Sequence, residues 1–470
     1  MVTVTRAAPA LHADYNWAYV WMISLVAALG GLLFGYDWVV IGGAKPFYEK
    51  FFHLTTPGQQ GWAMSCALVG CLAGALVSGA LTGRFGRKRL LISAALLFAL
   101  SSLGTGLASV FGAFVAWRMA GGVAIGLASN LSPMYIAEVS PAPLRGKLVS
   151  MNQLTLVVGI LLAQFMNWLI ARPIPGNFTP VDILNSWNGQ LGWRWMFGVT
   201  AVPSILFFIG MIGVPKSPRW LAHHGKPGQA RRILEKIGGG DYASQALAEI
   251  ESSLGERREK YDRRSLFEPK IARILFLGIA LAVFQQWCGI NVIFNYAEDV
   301  FAAAGYTVSS TLFNIVITGA VNLLFTLVAV TLVDRAGRRL LLLGGAAGLA
   351  VIYALLGAGY HAGRQGFPML LLVVAAIACY AMSLAPVTWV VISEIYPNRV
   401  RGEAMSLAVT SLWVACFTLT YTFPFLMKAA GAAGTFWIYA GICVAGFTFI
   451  YFRLPETKGK TLEQIEGLWK

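Results

Sequence analysis

Two oppositely charged side chains stand inside long apolar stretches of this 470-residue chain, Asp37 after Phe34-Gly-Tyr and Arg118 after Val115-Ala-Trp. An ionisable group in a lipid-embedded helix is costly and is by default a functional candidate. Burial disfavours the charged form of a carboxylate, whereas a nearby guanidinium favours it. A pair that separates during a conformational change would therefore let Asp37 take up and release a proton. The alternative is a permanent structural ion pair.

A second group of polar side chains, five amides and one indole, also falls in apolar stretches: Gln164, Gln285, Gln286, Asn291, Asn322 and Trp389. Amides both donate and accept hydrogen bonds, and an aromatic ring packs against C–H faces, so such a set suits a ligand with several hydroxyls. Taken singly, buried amides more often join neighbouring helices. Gln285 and Asn291 are nearly two helical turns apart, so we expect one continuous helix to present both to a cavity.

Membrane helices must position these side chains. The chain is 57% hydrophobic and 12% charged, about half the charged share of soluble domains, which excludes disordered, fibrous and nucleic-acid-binding proteins. Apolar runs long enough to cross a ~30 Å hydrocarbon core recur along the sequence. They fall at 17–43, 60–82, 89–110, 112–138, 147–171, 192–214, 271–303, 309–333, 340–360, 367–394, 403–427 and 433–453. The sequence thus predicts an all-α membrane protein with twelve transmembrane helices.

The net charge of +15 comes from Lys and Arg concentrated between the runs, at 84–89, 145–147, 216–273, 335–339 and 399–401. With twelve spans, all these segments share one face, which the positive-inside rule makes cytoplasmic. Both termini are then cytoplasmic, and we expect a multi-pass protein of the plasma (inner) membrane. Asp37 lies shortly before the outer end of span one and Arg118 shortly after the outer start of span four. The two side chains therefore lie at similar depth.

The two halves of the chain repeat. Arg84-Phe-Gly-Arg87 after span two matches Arg335-Ala-Gly-Arg338 after span eight, and Glu138 at the end of span four matches Glu394 at the end of span ten. Duplicated six-helix units with a site between them are typical of secondary transporters. We therefore expect two pseudo-symmetric six-helix bundles joined by a cytoplasmic helical linker. The predicted divisions are an N-terminal tail (1–16), the two bundles (17–214 and 271–455), the linker (215–270) and a C-terminal tail (456–470).

A family resemblance covers nearly the whole chain. Gly-Arg-Phe-Gly-Arg-Lys (83–88), Asp-Arg-Ala-Gly-Arg-Arg (334–339), Pro-Lys-Ser-Pro-Arg-Trp-Leu (215–221), Gln-Gln-Trp-Cys-Gly-Ile-Asn (285–291) and Pro-Glu-Thr-Lys-Gly-Lys-Thr-Leu (455–462) resemble the motifs of the sugar porter family of the major facilitator superfamily. The pattern is most similar to bacterial proton-coupled pentose and hexose symporters. The resemblance implies that Asp37 and Arg118 serve proton coupling, since passive relatives typically carry a neutral residue at position 37. It also implies that the five amides and Trp389 bind the sugar.

The resemblance assigns a second role to charged residues at the cytoplasmic face: Glu138, Arg145, Arg87, Glu394, Arg401 and Arg338. Ion pairs among them would latch the halves together when that side is closed and break when it opens. The alternative is that these basic residues only set topology. Three positions depart from the family pattern: Gly83 stands where the family often has an acid, Leu412 where it often has an amide, and Asn295 where many members have a tyrosine. Trp413 and Phe34 are candidate wall residues of the sugar site, with core packing as the alternative.

The sequence therefore predicts a proton-coupled monosaccharide symporter, for a pentose or hexose, that works by alternating access. A passive sugar uniporter is the first alternative. A membrane sugar sensor is the second, although the segment after Pro455 is short for a signalling tail. No nucleophile–base set, paired acids or histidine cluster is evident within the spans, so we expect no enzyme, cofactor or metal. The expected partners are a monosaccharide, a proton and the lipid bilayer, with no nucleic acid, and we expect a monomer.

Overall fold

The computed structural model describes residues 15–176, 178–256, 268–397 and 400–458, with the side chains of 253–256 and 334 left out. Most of both predicted tails, part of the linker and Arg399 of one basic segment lie outside the described residues. In the first half the helices are α1 (Trp17–Phe51), α2 (Pro57–Phe85), α3 (Arg87–Leu107), α4 (Phe111–Val139), α5 (Arg145–Ile170), α6 (Pro180–Asn185), α7 (Trp193–Gly198) and α8 (Ala201–Gly213).

The linker contains α9 (Pro218–His223) and α10 (Pro227–Glu256), and α10 is broken at Gly238 and Gly239. In the second half the helices are α11 (Pro269–Trp287), α12 (Ile290–Asn295), α13 (Ala297–Ala303), α14 (Val308–Ala336), α15 (Arg338–His361), α16 (Phe367–Met382), α17 (Leu384–Ile395) and α18 (Arg401–Arg453). Local sequence explains several starts: Thr56 and Gln59 form a capping box before α2, and Thr307 caps α14. Such side chains satisfy backbone N–H groups that a helix leaves unpaired.

Eleven helical stretches of the described chain are long and apolar enough to cross a membrane. The last of them, α18, has 53 residues and would be roughly 80 Å long if straight, far more than a ~30 Å hydrocarbon core. Its backbone leaves the helical region at Gly431, with φ 66° and ψ −179°. This break falls between the two last predicted runs, 403–427 and 433–453.

Three predicted runs are not single helices. The stretch 192–214 is divided at Val199 and Thr200, between α7 and α8. The stretch 271–303 is divided at Gly289, whose φ is 89°, and again at Tyr296, while the stretch 367–394 is divided at Ser383. The prediction that one continuous helix carries both Gln285 and Asn291 is therefore wrong. A hydropathy pattern does not predict this break, because the break depends on a left-handed backbone conformation that glycine adopts at little cost.

The packing of the helices repeats between the halves. In the first half α1 packs on α5, α2 on α4 and α3 on α8; in the second, α11 packs on α18, α14 on α16 and α15 on α18. The halves meet where α2 contacts α18 and where α5 contacts α14. Small residues allow the close approaches: a Cβ on Gly35 of α1 would lie 1.9 Å from the Leu156 carbonyl oxygen, and one on Gly122 of α4 would lie 1.9 Å from that of Ala67. Membrane helices pack through such small residues, and these contacts fix the helices that carry Asp37 and Arg118.

Candidate functional site

Asp37 and Arg118 contact each other in the interior of the first half. The Arg118 Nη1 donates to Asp37 Oδ1 at 2.8 Å, and Nη2 donates to the Asp37 backbone carbonyl at 3.3 Å. Both residues are buried, with 4% and 3% of their surface exposed. The Arg118 guanidinium also lies 5.3 Å from the centre of the Phe197 ring. Asp37 therefore faces protein, and its charge is balanced by one guanidinium.

Only one of the two carboxylate oxygens of Asp37 accepts a hydrogen bond from Arg118. Among the described residues, neither its Oδ2 nor the Nε of Arg118 has a hydrogen-bond partner. An unsatisfied buried polar atom costs free energy, and the cost is greater for a charged group. The single Nη1 contact therefore leaves one oxygen of the buried carboxylate without a described partner.

A small cavity connects this ion pair to the second half of the chain. Its volume is about 10 Å³. Its lining residues are Trp38, Met64, Ala67, Leu68, Cys71, Arg118, Ile125 and Asn295. That volume holds about one water. Asn295 on α12 is buried, and its Oδ1 has no partner among the described residues. Arg118 of the first half and a polar side chain of the second half thus share one cavity.

Four polar side chains of the second half form a hydrogen-bonded chain. Asn291 Nδ2 donates to Gln286 Oε1, Gln286 Nε2 donates to Gln285 Oε1, and Gln285 Nε2 donates to the Tyr380 hydroxyl. Asn291 Nδ2 also lies 3.6 Å from Cys416 Sγ on α18. All three amides are at least nine-tenths buried. Because Gly289 breaks the helix between them, the amides point toward one another rather than forming two separate rungs.

The remaining predicted ligands are not part of this chain of amides. Gln164 of α5 is buried with both amide atoms unpartnered among the described residues, and it lies at the contact with Gly319 of α14. Asn322, also on α14, is 5% exposed. Trp389 on α17 is 38% exposed, and no described aromatic ring stacks on it. Three amides are thus brought together directly, whereas Gln164, Asn322 and Trp389 stand on other helices, α5, α14 and α17.

An aromatic cluster joins the halves beside the ion pair. Phe34 and Trp38 of α1 and Trp413 of α18 have ring centres 5.9 to 6.1 Å apart. Trp413 is buried next to Leu412. The two candidate wall residues named from sequence, Phe34 and Trp413, therefore contact each other across the two halves.

At the end of the helices that the sequence predicts to be cytoplasmic, the inner face, charged residues pair within each half. Arg87 Nη2 lies 2.7 Å from Glu138 Oε1, and Arg338 Nη2 lies 3.3 Å from Glu394 Oε1. Thr457 also donates to Glu394 at 2.7 Å. Arg401 donates to the Tyr396 carbonyl oxygen, and Arg145 is exposed. Among the described ion pairs, Arg145 does not pair with Glu138, and Arg401 does not pair with Glu394.

Sequence reasoning missed two residues of this region, Tyr380 and Trp38. Both lie in apolar runs where an aromatic side chain is ordinary core packing. The position of Trp38, directly after an isolated acid, was the one available signal. No group of three His, Cys, Asp or Glu that could hold a metal occurs in the part of the chain the structure describes.

Comparison with known proteins extends the likeness over the whole chain. A family model described as "Sugar (and other) transporter" matches residues 23–469. The D-xylose-proton symporter of Escherichia coli (strain K12) is 38% identical over 98% of this chain and 98% of its own length. The arabinose-proton symporter of Bacillus subtilis (strain 168) is 37% identical over 100% of this chain and 97% of its own length.

Solved structures agree. The inward-open conformation of the xylose transporter XylE from Escherichia coli matches with a TM-score of 0.84 at 37% identity, over 96% of this chain and 100% of that chain. XylE bound to 6-bromo-6-deoxy-D-glucose matches with a TM-score of 0.79 at 38% identity, over 97% and 100%. The chain is a multi-pass membrane transporter rather than an enzyme, and it belongs to the sugar transporter family of the major facilitator superfamily.

Proposed function

We propose that the protein is a proton-coupled monosaccharide symporter that works by alternating access. The relatives named above are proton symporters of D-xylose and arabinose, two pentoses, and they match this chain from end to end. The substrate is accordingly a pentose or a hexose. The observation that carries the proposal is the buried Asp37–Arg118 pair, because a passive carrier has no need to bury a carboxylate in a lipid-embedded helix.

Coupling follows from the geometry of that pair. When Arg118 is in contact, the carboxylate of Asp37 is stabilised as an anion; if the guanidinium withdraws, burial favours the protonated acid. Arg118 shares its cavity with Asn295, which is one helical turn after Asn291 on α12. A sugar that rearranges the amide chain at Asn291 would therefore act on the ion pair through Asn295. In this way the occupancy of the sugar site and the protonation of Asp37 become linked.

The sugar site consists of the amides of α11 and α12 together with side chains from three neighbouring helices. Gln285, Gln286 and Asn291 are already hydrogen-bonded to one another, so they can exchange these bonds for sugar hydroxyls without leaving a buried group unpaired. Gln164 supplies a donor and an acceptor that have no described partner. Asn322 adds a further amide, and the exposed indole of Trp389 offers a flat face for the C–H groups of the sugar ring.

The proposed architecture is twelve transmembrane helices in two six-helix bundles, 17–214 and 271–455, with the linker 215–270 and both termini in the cytoplasm. The repeated packing pattern and the break at Gly431 support this arrangement, and the basic segments support the orientation. The protein acts as a monomer in the plasma (inner) membrane. The pairs Arg87–Glu138 and Arg338–Glu394 lie within separate halves here, and they serve as the charge latch by exchanging partners across the halves when the inner side closes.

Uptake into proteoliposomes tests the function. Radiolabelled D-xylose, L-arabinose and D-glucose are offered at equal external concentration, with the lumen either at the same pH or more alkaline. We expect at least one sugar to accumulate above its external concentration only when the outside is more acidic, and a protonophore should abolish the accumulation. Uptake that stops at equal concentrations under both conditions would identify a passive uniporter and overturn the proposal.

A further inference from the structure

Four charged residues form a cluster at the outer end of α1, far from both the sugar amides and the inner-face ion pairs. Lys45 Nζ lies 3.0 Å from Glu298 Oε2, 2.9 Å from Asp299 Oδ2 and 3.4 Å from Glu49 Oε2. Lys45 is 4% exposed, a rare state for a lysine. Its single positive charge therefore stands among three carboxylates whose side chains are partly buried, 12% to 31% exposed.

This cluster joins the two halves of the molecule. Lys45 and Glu49 belong to α1 of the first half, and Glu298 and Asp299 belong to α13 of the second. Other contacts at the same end also cross between the halves. Ile174 N donates to Ser309 Oγ at 2.8 Å, and a Cβ on Gly42 would lie 2.7 Å from the Phe294 carbonyl oxygen. The outer ends of α1 and α13 are thus closed against each other.

The neighbouring lysine shows that the arrangement is specific to Lys45. Lys50 lies on the next turn of α1, but its Nζ donates to the Pro46 carbonyl at 2.9 Å and it forms no ion pair with the described carboxylates. The inner-face pairs provide a second contrast, since Arg87–Glu138 and Arg338–Glu394 each join helices of one half. In this conformation it is the outer ion pairs that bridge the halves.

We propose that Lys45, with Glu298 and Asp299, is the outer gate latch of the transport cycle, a set of positioning residues that holds α1 and α13 together while the inner side is open. This assignment rests on the proposed alternating-access function for its place in the cycle. Breaking a buried ion pair by hydration costs little, because water recovers much of the lost attraction, whereas deleting one partner leaves unpaired buried charge. The latch can therefore open when water enters from outside, and a variant without the lysine favours the open state.

The opening of the outer side is measured by cysteine labelling in intact proteoliposomes. Ile41→Cys places a thiol one turn before Lys45 on the same helix face, at a position only 1% exposed. It is introduced after the six native cysteines are replaced by Ala or Ser, and a membrane-impermeant maleimide is added outside. Labelling needs neither sugar nor a proton gradient, so a failure of the latch is distinguishable from a failure of the transport function.

The expected result is faster labelling when the latch is removed. With Lys45→Met the rate should rise by at least about tenfold, since loss of one partner of a buried ion pair shifts an equilibrium by more than that. Lys45→Arg should restore slow labelling, and the matched control Lys50→Met should leave the rate unchanged.

A second variant keeps the test valid if Lys45→Met does not fold. The double substitution Glu298→Gln with Asp299→Asn removes the attraction from the opposite side and should also speed labelling. Adding Lys45→Met to it should then have a smaller effect than in the wild-type background, because residues that interact directly are not additive. Equal labelling rates in Lys45→Met, Lys50→Met and the parent, or additive effects of the combined substitutions, would overturn the proposal.

Discussion

At the scale of single residues, the proposed proton coupling depends on one carboxylate, that of Asp37. Asp37 is held by Arg118 through one charged contact and one contact to its backbone carbonyl, and its second carboxylate oxygen has no described partner. A structural ion pair would be expected to satisfy both oxygens, because buried pairs are stable only when their remaining lone pairs are used. The incomplete pairing supports the proposed role of Asp37 in proton coupling.

Neutralising this carboxylate should separate transport from proton coupling. We expect Asp37→Asn to lose accumulation of sugar under a pH gradient while it keeps sugar counterflow, because the amide preserves shape and hydrogen bonding but cannot exchange a proton. Glu235→Gln removes a carboxylate from the exposed linker and serves as the control that should accumulate normally. Proton-driven accumulation by Asp37→Asn would contradict the coupling role.

Truncating an amide of the sugar site should weaken binding without abolishing folding. Gln285→Ala removes the central member of the hydrogen-bonded chain, and we expect the sugar affinity to fall by about 1–3 kcal/mol, the cost of leaving buried partners unpaired. Trp389→Ala should weaken binding to a similar degree. Calorimetric titration of purified protein measures both, with Gln245→Ala on the exposed linker as the matched control. Unchanged affinity in both site variants would mean that the sugar binds elsewhere.

The functional role of a residue could be predicted from sequence only where a polar or charged side chain stands in an apolar stretch. A charge or an amide in an apolar run is such a case, so Asp37, Arg118 and the amides could be predicted as candidate site residues. Tyr380 accepts a hydrogen bond from Gln285, yet a tyrosine in an apolar run gives no warning of that role. Its hydrogen bond depends on where α11 and α16 lie relative to each other, which the order of residues does not reveal.

At the scale of elements, the positions of the membrane helices follow from hydropathy, but their breaks do not. The predicted runs coincide with helices of the structure except between α7 and α8 and at Gly289, Tyr296 and Ser383, where long apolar stretches are interrupted. Apolar composition measures only transfer into lipid, whereas a break depends on backbone geometry and on where the freed N–H and C=O groups find partners. Two of the three divided stretches, 271–303 and 367–394, carry predicted sugar ligands.

The break at Gly289 should be sensitive to any side chain. Its φ is 89°, and a Cβ there would lie 2.8 Å from the Tyr439 ring. We expect Gly289→Ala to lower the unfolding temperature and to weaken sugar binding, because Asn291 would move relative to Gln285. Gly441→Ala is the control, since a Cβ at that position on α18 meets nothing within 4 Å. Thermal unfolding in detergent compares the two, and equal stability would contradict the proposed constraint.

The segment after α18 is anchored by a helix cap. Glu456 accepts hydrogen bonds from the backbone N–H groups of Arg338 and Arg339, the first residues of α15, at 3.0 Å each. Burial raises the pKa of Glu456, but these bonds and those from Thr457 and Lys458 outweigh it, so the pKa lies below its ordinary value of 4.5. A carboxylate with a depressed pKa stabilises the fold above its ordinary pKa, and this contribution is lost as the pH falls through the lowered value.

Replacing Glu456 should therefore have a pH-dependent effect. We expect Glu456→Gln to lower the unfolding temperature at pH 7, and the difference from the wild type should shrink as the pH is taken below 4.5. Unfolding curves of both proteins across that range provide the measurement. A difference that stays constant down to the lowest pH would show that the carboxylate acts only through its shape.

At the scale of the whole molecule, the helices of the two halves of the chain pack in a similar pattern, and the halves contact each other. The α2–α18 and α5–α14 contacts join them along their lengths, the Lys45 cluster joins them at one end, and the charged pairs at the other end stay within each half. The repeated motifs predicted the duplication. The state of the two ends was not, because the same charges can pair within or across the halves and only the arrangement of the helices decides between them.

The proposed coupling of sugar and proton fluxes can be measured most directly by letting a sugar gradient drive the movement of protons. Proteoliposomes with a pH-sensitive dye in the lumen are prepared at equal pH inside and outside, with the membrane potential clamped, and a transported pentose or hexose is added outside. A symporter brings a proton in with each sugar taken up, so the account predicts acidification of the lumen that depends on the sugar and is absent in Asp37→Asn. Sugar entry in the wild-type protein without any change of lumenal pH would contradict it.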